Sequence, residues 1–116
     1  MTAPRVLIVE DEGLVALTME DMLIDLGCDI VGSFGGVAAT LAWLRESPGL
    51  DGALLDVNLG GEMVYPVADV LLARGVPIVF ATGYGASPDT RYAQVPVAAK
   101  PVTQARLAQV VPLFGG

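Results

Sequence analysis

The sequence predicts a doubly wound α/β fold, a parallel sheet with helices on both faces. Three observations carry this. Apolar runs of strand length alternate with segments of helical period along the whole chain. The runs are apolar throughout rather than at every second residue, which marks strands buried on both faces. The connections are short, and parallel strands need a crossover between them.

"RVLIVE", from Arg5 to Glu10, is the first strand. The next segment puts Val15, Met19, Met22, Leu23 and Leu26 on one helical face, with Thr18, Asp21 and Asp25 opposite. Gly27 stands where a helix-terminating glycine belongs. "CDIVGS" is the second strand, and Val37, Leu41 and Leu44, beside Trp43, mark the second helix. "GALLDV" is the third strand. Met63, Val67, Val70 and Leu71 mark the third helix, with Pro66 tolerated in its first turn. "VPIVFAT" and "PVAAK" are the fourth and fifth strands. Thr103 is an N-cap before a last apolar stripe of Leu107, Val110, Val111 and Phe114.

Composition narrows the function. The 116 residues suit one domain, with 53% hydrophobic residues for its core. No apolar run approaches the ~20 residues of a spanning helix, and no signal peptide precedes "VEDE". A lone cysteine, Cys28, excludes an internal disulfide and fits a reducing, cytoplasmic setting. The net charge of −7 and the lack of any basic cluster argue against nucleic-acid binding. There is no histidine, so histidine triads, zinc–histidine sites and histidine phosphodonors are excluded within the chain.

In such folds the sites lie beyond the carboxyl ends of the strands. The first strand ends in Glu10 and Asp11, followed by Glu12; the third in Asp56; the fourth in Thr82; the fifth in Lys100, followed by Pro101. Singly, each has an ordinary structural explanation as a cap, a turn residue or a solvated lysine. Their ordered combination does not. Converging carboxylates repel one another, and a hard cation such as Mg²⁺ relieves that repulsion through one or two carboxylates, a carbonyl and waters. Asn58, just past Asp56, is placed to offer the carbonyl. An aspartate nucleophile, a metal, a lysine and a hydroxyl together describe phosphoryl transfer to a carboxylate.

These motifs resemble those of the receiver domain of bacterial two-component response regulators. "VLIVEDE" matches the acidic pair, "LLDVNL" the phosphoacceptor strand, "FATGYG" the switch-threonine strand and "AAKP" the lysine–proline end. "PIVFATGYG" is similar to the FAT GUY group of single-domain receivers. The resemblance implies a flavodoxin-like, five-stranded parallel sheet of order 2-1-3-4-5. It implies Mg²⁺ held by Glu10, Asp11, Asp56 and the Asn58 carbonyl, with Asp56 as phosphoacceptor. It makes Thr82 and Lys100 partners of the phosphoryl group. The donor would be a histidine kinase or a histidine phosphotransfer protein. Residues 1–116 then form one receiver with no output domain: a switch that acts on a downstream protein, or a phosphate relay or sink, and this chain's only catalysis would be its own phosphorylation and dephosphorylation.

Two departures stand out. Val97 occupies the position where many receivers carry a switch Tyr or Phe. Tyr84, in the glycine-rich "TGYG" loop, is the nearest substitute, and the stretch from Gly83 to Gln94 is expected to reorder on phosphorylation. Only residues 83–99 lie between Thr82 and Lys100, and they include Pro88 and Pro96, so the fourth helix is expected to be short, irregular or absent. Two other classes compete. A Mg²⁺-dependent aspartyl-phosphate phosphohydrolase would want an aspartate at position 58, where Asn58 stands. A flavin-binding protein would want a phosphate loop after the first strand, where "VEDEGL" repels phosphate.

Overall fold

The computed structural model describes residues 2–46, 49–83 and 88–115. The chain runs β1 (Arg5–Val9), α1 (Gly13–Asp25), β2 (Asp29–Phe34), α2 (Val37–Arg45), β3 (Gly52–Asp56), β4 (Asn58–Leu59), β5 (Glu62–Met63), α3 (Tyr65–Ala73) and β6 (Ile78–Thr82). A 3₁₀ turn (Thr90–Tyr92), β7 (Val97–Ala99), α4 (Gln104–Val110) and a second 3₁₀ turn (Val111–Phe114) complete it. The five long strands form one parallel sheet in the order β2-β1-β3-β6-β7. Apart from the β4–β5 hairpin, that is the expected flavodoxin-like order 2-1-3-4-5.

Strand alternation divides the core in two. Val6 and Ile8 of β1 pack with Met19 and Leu23 of α1 and Leu107 and Val110 of α4. Leu7 and Val9 pack on the other side with Leu44 of α2 and Val67 and Leu71 of α3. Every residue of β3 and β6 is buried, which is why these strands read as continuous apolar runs. The helix ends follow from local chemistry. Gly27, at φ 89°, closes α1: its N–H donates to the Ile24 carbonyl and the Cys28 N–H to the Leu23 carbonyl. Thr103 caps α4 by accepting from the Arg106 N–H at 3.1 Å. Pro66 sits in the first turn of α3.

Two elements differ from expectation. The segment after Asp56 is an antiparallel hairpin, closed by Gly60 and Gly61 at φ 66° and 103°. Positive φ at both central residues is what a two-residue hairpin of the type I′ kind requires. Met63 therefore belongs to β5 and is 40% exposed, rather than opening α3. The apolar stripe at the chain's end also extends past α4, because Pro112 tightens the last turn into a 3₁₀ geometry that still buries Phe114. Among the described residues between β6 and β7, the only helical element is the 3₁₀ turn Thr90–Tyr92, in line with the shortened fourth helix expected from that segment.

Phe114 closes the core by lying directly on Gly52, where an added Cβ would stand 2.0 Å from the Phe114 ring. Gly52→Ala is expected to lower unfolding free energy by about 1–3 kcal/mol through overpacking. Gly13→Ala, where a Cβ meets nothing within 4 Å, is expected to leave it unchanged or raise it slightly. Parallel denaturant titrations of the two variants check this.

Candidate functional site

The fold brings the carboxyl ends of β1, β3, β6 and β7 to one edge of the sheet. The chain reverses its winding between β1 and β3, so Glu10 and Asp56 flank the switch point where such folds place their sites. Glu10 is held there by its own N–H, which donates to the Phe34 carbonyl at 2.9 Å. Carboxylate oxygens of Glu10, Asp11 and Asp56 all lie within 4.8 Å of one another. Glu10 and Asp56 are buried, while Asp11 is exposed at the rim.

Lys100 answers this negative charge. Its Nζ lies 2.5 Å from Glu10 Oε1 and donates to Asp56 Oδ2 at 3.0 Å. The Lys100 N–H donates to the Thr82 carbonyl at 2.7 Å, which fixes the end of β7 beside the end of β6. Thr82 itself is buried. The second Asp56 oxygen, Oδ1, accepts from the Asn58 N–H at 3.2 Å. Burial pushes the Glu10 carboxyl above the usual range, since Lys100 and the Glu12 N–H only partly oppose the desolvation and the nearby Asp56 adds to it. Burial alone would lower the Lys100 ammonium, but its two carboxylate partners outweigh that and hold it above its ordinary value.

The donor set fits a hard divalent cation. Three carboxylates stand within reach of one point, and Glu10 Oε1 is buried with no hydrogen bond, having only the ion pair to Lys100. That is an oxygen-only site of the kind Mg²⁺ takes, with room left for waters. The structure thus gathers Glu10, Asp11, Asp56, Thr82 and Lys100 as the sequence predicts. It places Asn58 at the start of the hairpin, with its side-chain Oδ1 accepting from the Gly61 N–H at 2.6 Å. Tyr84 lies outside the described residues.

Sequence reasoning missed how the hairpin frames the acids. Gly60 approaches Asp11 so closely that a Cβ there would stand 3.4 Å from Asp11 Oδ2. Glu62 then reaches α2, where its Oε1 accepts from the Val37 N–H at 3.3 Å. The "GG" dipeptide was the available signal, since paired glycines between short apolar stretches mark a hairpin.

No family model matches the chain. Solved structures do. SdrG from Sphingomonas melonis Fr1 is 45% identical, covering 97% of this chain and 96% of that one at a TM-score of 0.85. A BeF₃-activated conformation of SdrG matches at 42% identity and a TM-score of 0.79, over 98% of each chain. The signal receiver domain of a modulated diguanylate cyclase from Desulfovibrio desulfuricans G20 is 30% identical over 97% of this chain and 93% of that one, at a TM-score of 0.79. The chain belongs to the response-regulator receiver family. Among curated proteins, the phyllosphere-induced regulator PhyR of Methylorubrum extorquens is 31% identical over 94% of this chain. The chain spans less than half the length of the curated relatives it matches, 42% in the case of PhyR. Receiver domains are signalling modules of two-component systems, and the chain's place in that class rests on these likenesses together with its fold.

Lys100 is the cation that makes two buried carboxylates tolerable. Lys100→Met is expected to cost about 3 kcal/mol of stability in chelator, because an uncompensated buried charge is left behind. Excess Mg²⁺ is expected to recover much of that loss. Thermal melts of both proteins with and without Mg²⁺ provide the check.

Proposed function

We propose that this receiver is a Mg²⁺-dependent phosphoryl acceptor and that Asp56 is the residue modified. The observation that carries the reading is Asp56 itself: a buried carboxylate at a strand end, with Lys100 Nζ at 3.0 Å and two further carboxylates within 4.8 Å. The donor is a phosphohistidine of a histidine kinase or phosphotransfer protein, since this chain has no histidine of its own. An Asp56 oxygen attacks phosphorus. The new O–P bond forms as the donor's N–P bond breaks, and the electron pair stays on the imidazole nitrogen, which takes a proton from solvent.

Mg²⁺ held by Asp11, Asp56 and the Asn58 carbonyl, with Glu10 through water, would neutralise charge building on the phosphoryl oxygens. Lys100 holds the acceptor against repulsion from Glu10 and then pairs with a phosphoryl oxygen. Thr82, whose carbonyl is tied to the Lys100 backbone, supplies a hydroxyl donor to the same group. The outcome is a change in what the domain binds, rather than turnover of a substrate. The BeF₃-activated conformation of SdrG supports the reading, because beryllofluoride imitates a phosphoryl group on a carboxylate.

An apolar groove of about 480 Å³ leads up to Lys100, lined by Leu14, Val15 and Met22 of α1 and by Pro101 and Val102. Leu14 at its mouth is 82% exposed. This groove, continuous with the acceptor site, is where the reading seats the protein donor.

Three outcomes follow. With Mg²⁺ and acetyl phosphate, the wild type is expected to gain one phosphoryl group by intact mass, and Asp56→Asn none; equal labelling of both refutes the assignment. Asp11→Ala is expected to weaken Mg²⁺ binding at least about tenfold in a calorimetric or NMR titration. Leu14→Asp is expected to slow transfer from a phosphorylated histidine protein while leaving labelling by acetyl phosphate unchanged. A variant equally slow with both donors would place the protein donor elsewhere.

A further inference from the structure

The second half of the connection between β6 and β7 is held far more firmly than a surface loop requires. Tyr92, at the end of its 3₁₀ turn, is 5% exposed. Its ring stacks on Tyr65 of α3, with centroids 4.7 Å apart and planes 13° from parallel. It also meets Phe80 of β6 edge-on at 5.6 Å. The Tyr92 hydroxyl donates to Asp69 Oδ1 at 2.5 Å and accepts from Arg91 Nη2 at 2.7 Å. The Arg91 guanidinium lies 4.8 Å from the Tyr92 ring centre and 5.9 Å from that of Tyr65, and reaches Asp69 Oδ2 at 4.0 Å. The Tyr65 hydroxyl accepts from the Asp89 N–H at 2.7 Å, while Asp89 Oδ1 accepts from the Arg91 N–H at 3.0 Å.

We propose that Tyr65, Asp69, Arg91 and Tyr92 form a latch that fastens residues 89–95 to α3 in both the resting and the phosphorylated states. Releasing Tyr92 would expose a ring buried on two sides. It would also break a hydrogen bond to a charged acceptor, among the stronger kinds. Burial first, and then Asp69, push the Tyr92 phenol up to about 12, so it remains the donor throughout the neutral range. An aromatic that swings between two positions cannot be held on so many sides at once. The position usually given to such a ring is no freer: the Val97 carbonyl accepts from both Arg106 Nε at 3.3 Å and Nη2 at 2.9 Å. The latch therefore shortens the stretch expected to reorder on phosphorylation, which no longer reaches Gln94. It also makes α3 and residues 89–95 a single rigid surface, in contact with Phe80, two residues before Thr82.

The latch stands on its own geometry, while its part in signalling rests on the acceptor reading. Amide hydrogen exchange in the full chain tests both. The reporters are the N–H groups of Tyr92, Ala93 and Val95, which donate to Asp89, Thr90 and Tyr92 carbonyls. In the resting protein, Tyr92→Phe and Asp69→Ala are each expected to speed exchange at these amides about tenfold, leaving β1 and β3 unchanged. In the wild type with Mg²⁺ and beryllofluoride, their protection is expected to persist, and residues 89–95 are expected to show no large chemical-shift change. Unaltered exchange in both variants overturns the latch. Lost protection in the activated wild type overturns its persistence through switching. If beryllofluoride leaves the Asp56 amide unmoved, the acceptor reading fails, and the variants in the resting protein still decide the latch.

Discussion

The arrangement depends on a charge imbalance at one edge of the sheet. Glu10 and Asp56 are buried there, within 4.8 Å of each other and of Asp11, and Lys100 is the ammonium that reaches both buried acids. Burying carboxylates this way costs several kcal/mol each unless a cation stands beside them. The topology exists to bring that cation in. β1 and β3 lie together at the switch point, β6 adds on the far side, and β7 carries Lys100 back to the edge. The short β7 is fastened where the lysine needs it, by the Thr82 carbonyl at one end and by Arg106 on the Val97 carbonyl at the other.

Among the described residues, one ammonium stands against three carboxylates, which leaves the edge short of positive charge. On the proposed reading, a hard cation would be attracted to it, and a phosphoryl group would need both the cation and Lys100. The hairpin transmits the geometry outward. Asn58 and the paired glycines fold it tightly, Gly60 lies against Asp11, and Glu62 bonds to the first turn of α2. On the other flank, Phe80 joins the strand that carries Thr82 to the tyrosine stack on α3. The rigid parts thus surround a small, electrostatically unsatisfied centre.

Much of this was legible in the sequence because it rests on local patterns. Strands buried on both faces appear as unbroken apolar runs, and helices with one buried stripe appear at helical period. The acids, Thr82 and Lys100 were legible because a parallel sheet collects its strand ends. The hairpin was harder. Its strands are two residues each, too short for any period to register, and Met63 matched the apolar stripe of α3 by coincidence of spacing. Glu62 as a cap for α2 and Phe114 as the cover of Gly52 depend on contacts far apart in sequence, which no local pattern records. Tyr92 belongs with them: nothing in "DTRYAQ" indicates that its ring enters a stack with Tyr65 and Phe80.

The central claim, that this charge-deficient edge makes Asp56 a phosphoryl acceptor, is open to a direct chemical test. An acyl phosphate is reduced by borohydride to an alcohol, which converts a phosphorylated aspartate to homoserine and leaves free carboxylates unchanged. Protein treated with a phosphodonor and Mg²⁺, reduced, and mapped by peptide mass spectrometry is predicted to carry homoserine at position 56, dependent on both donor and metal. Homoserine at position 11 or at another acid, or none at 56 after full donor treatment, would contradict it.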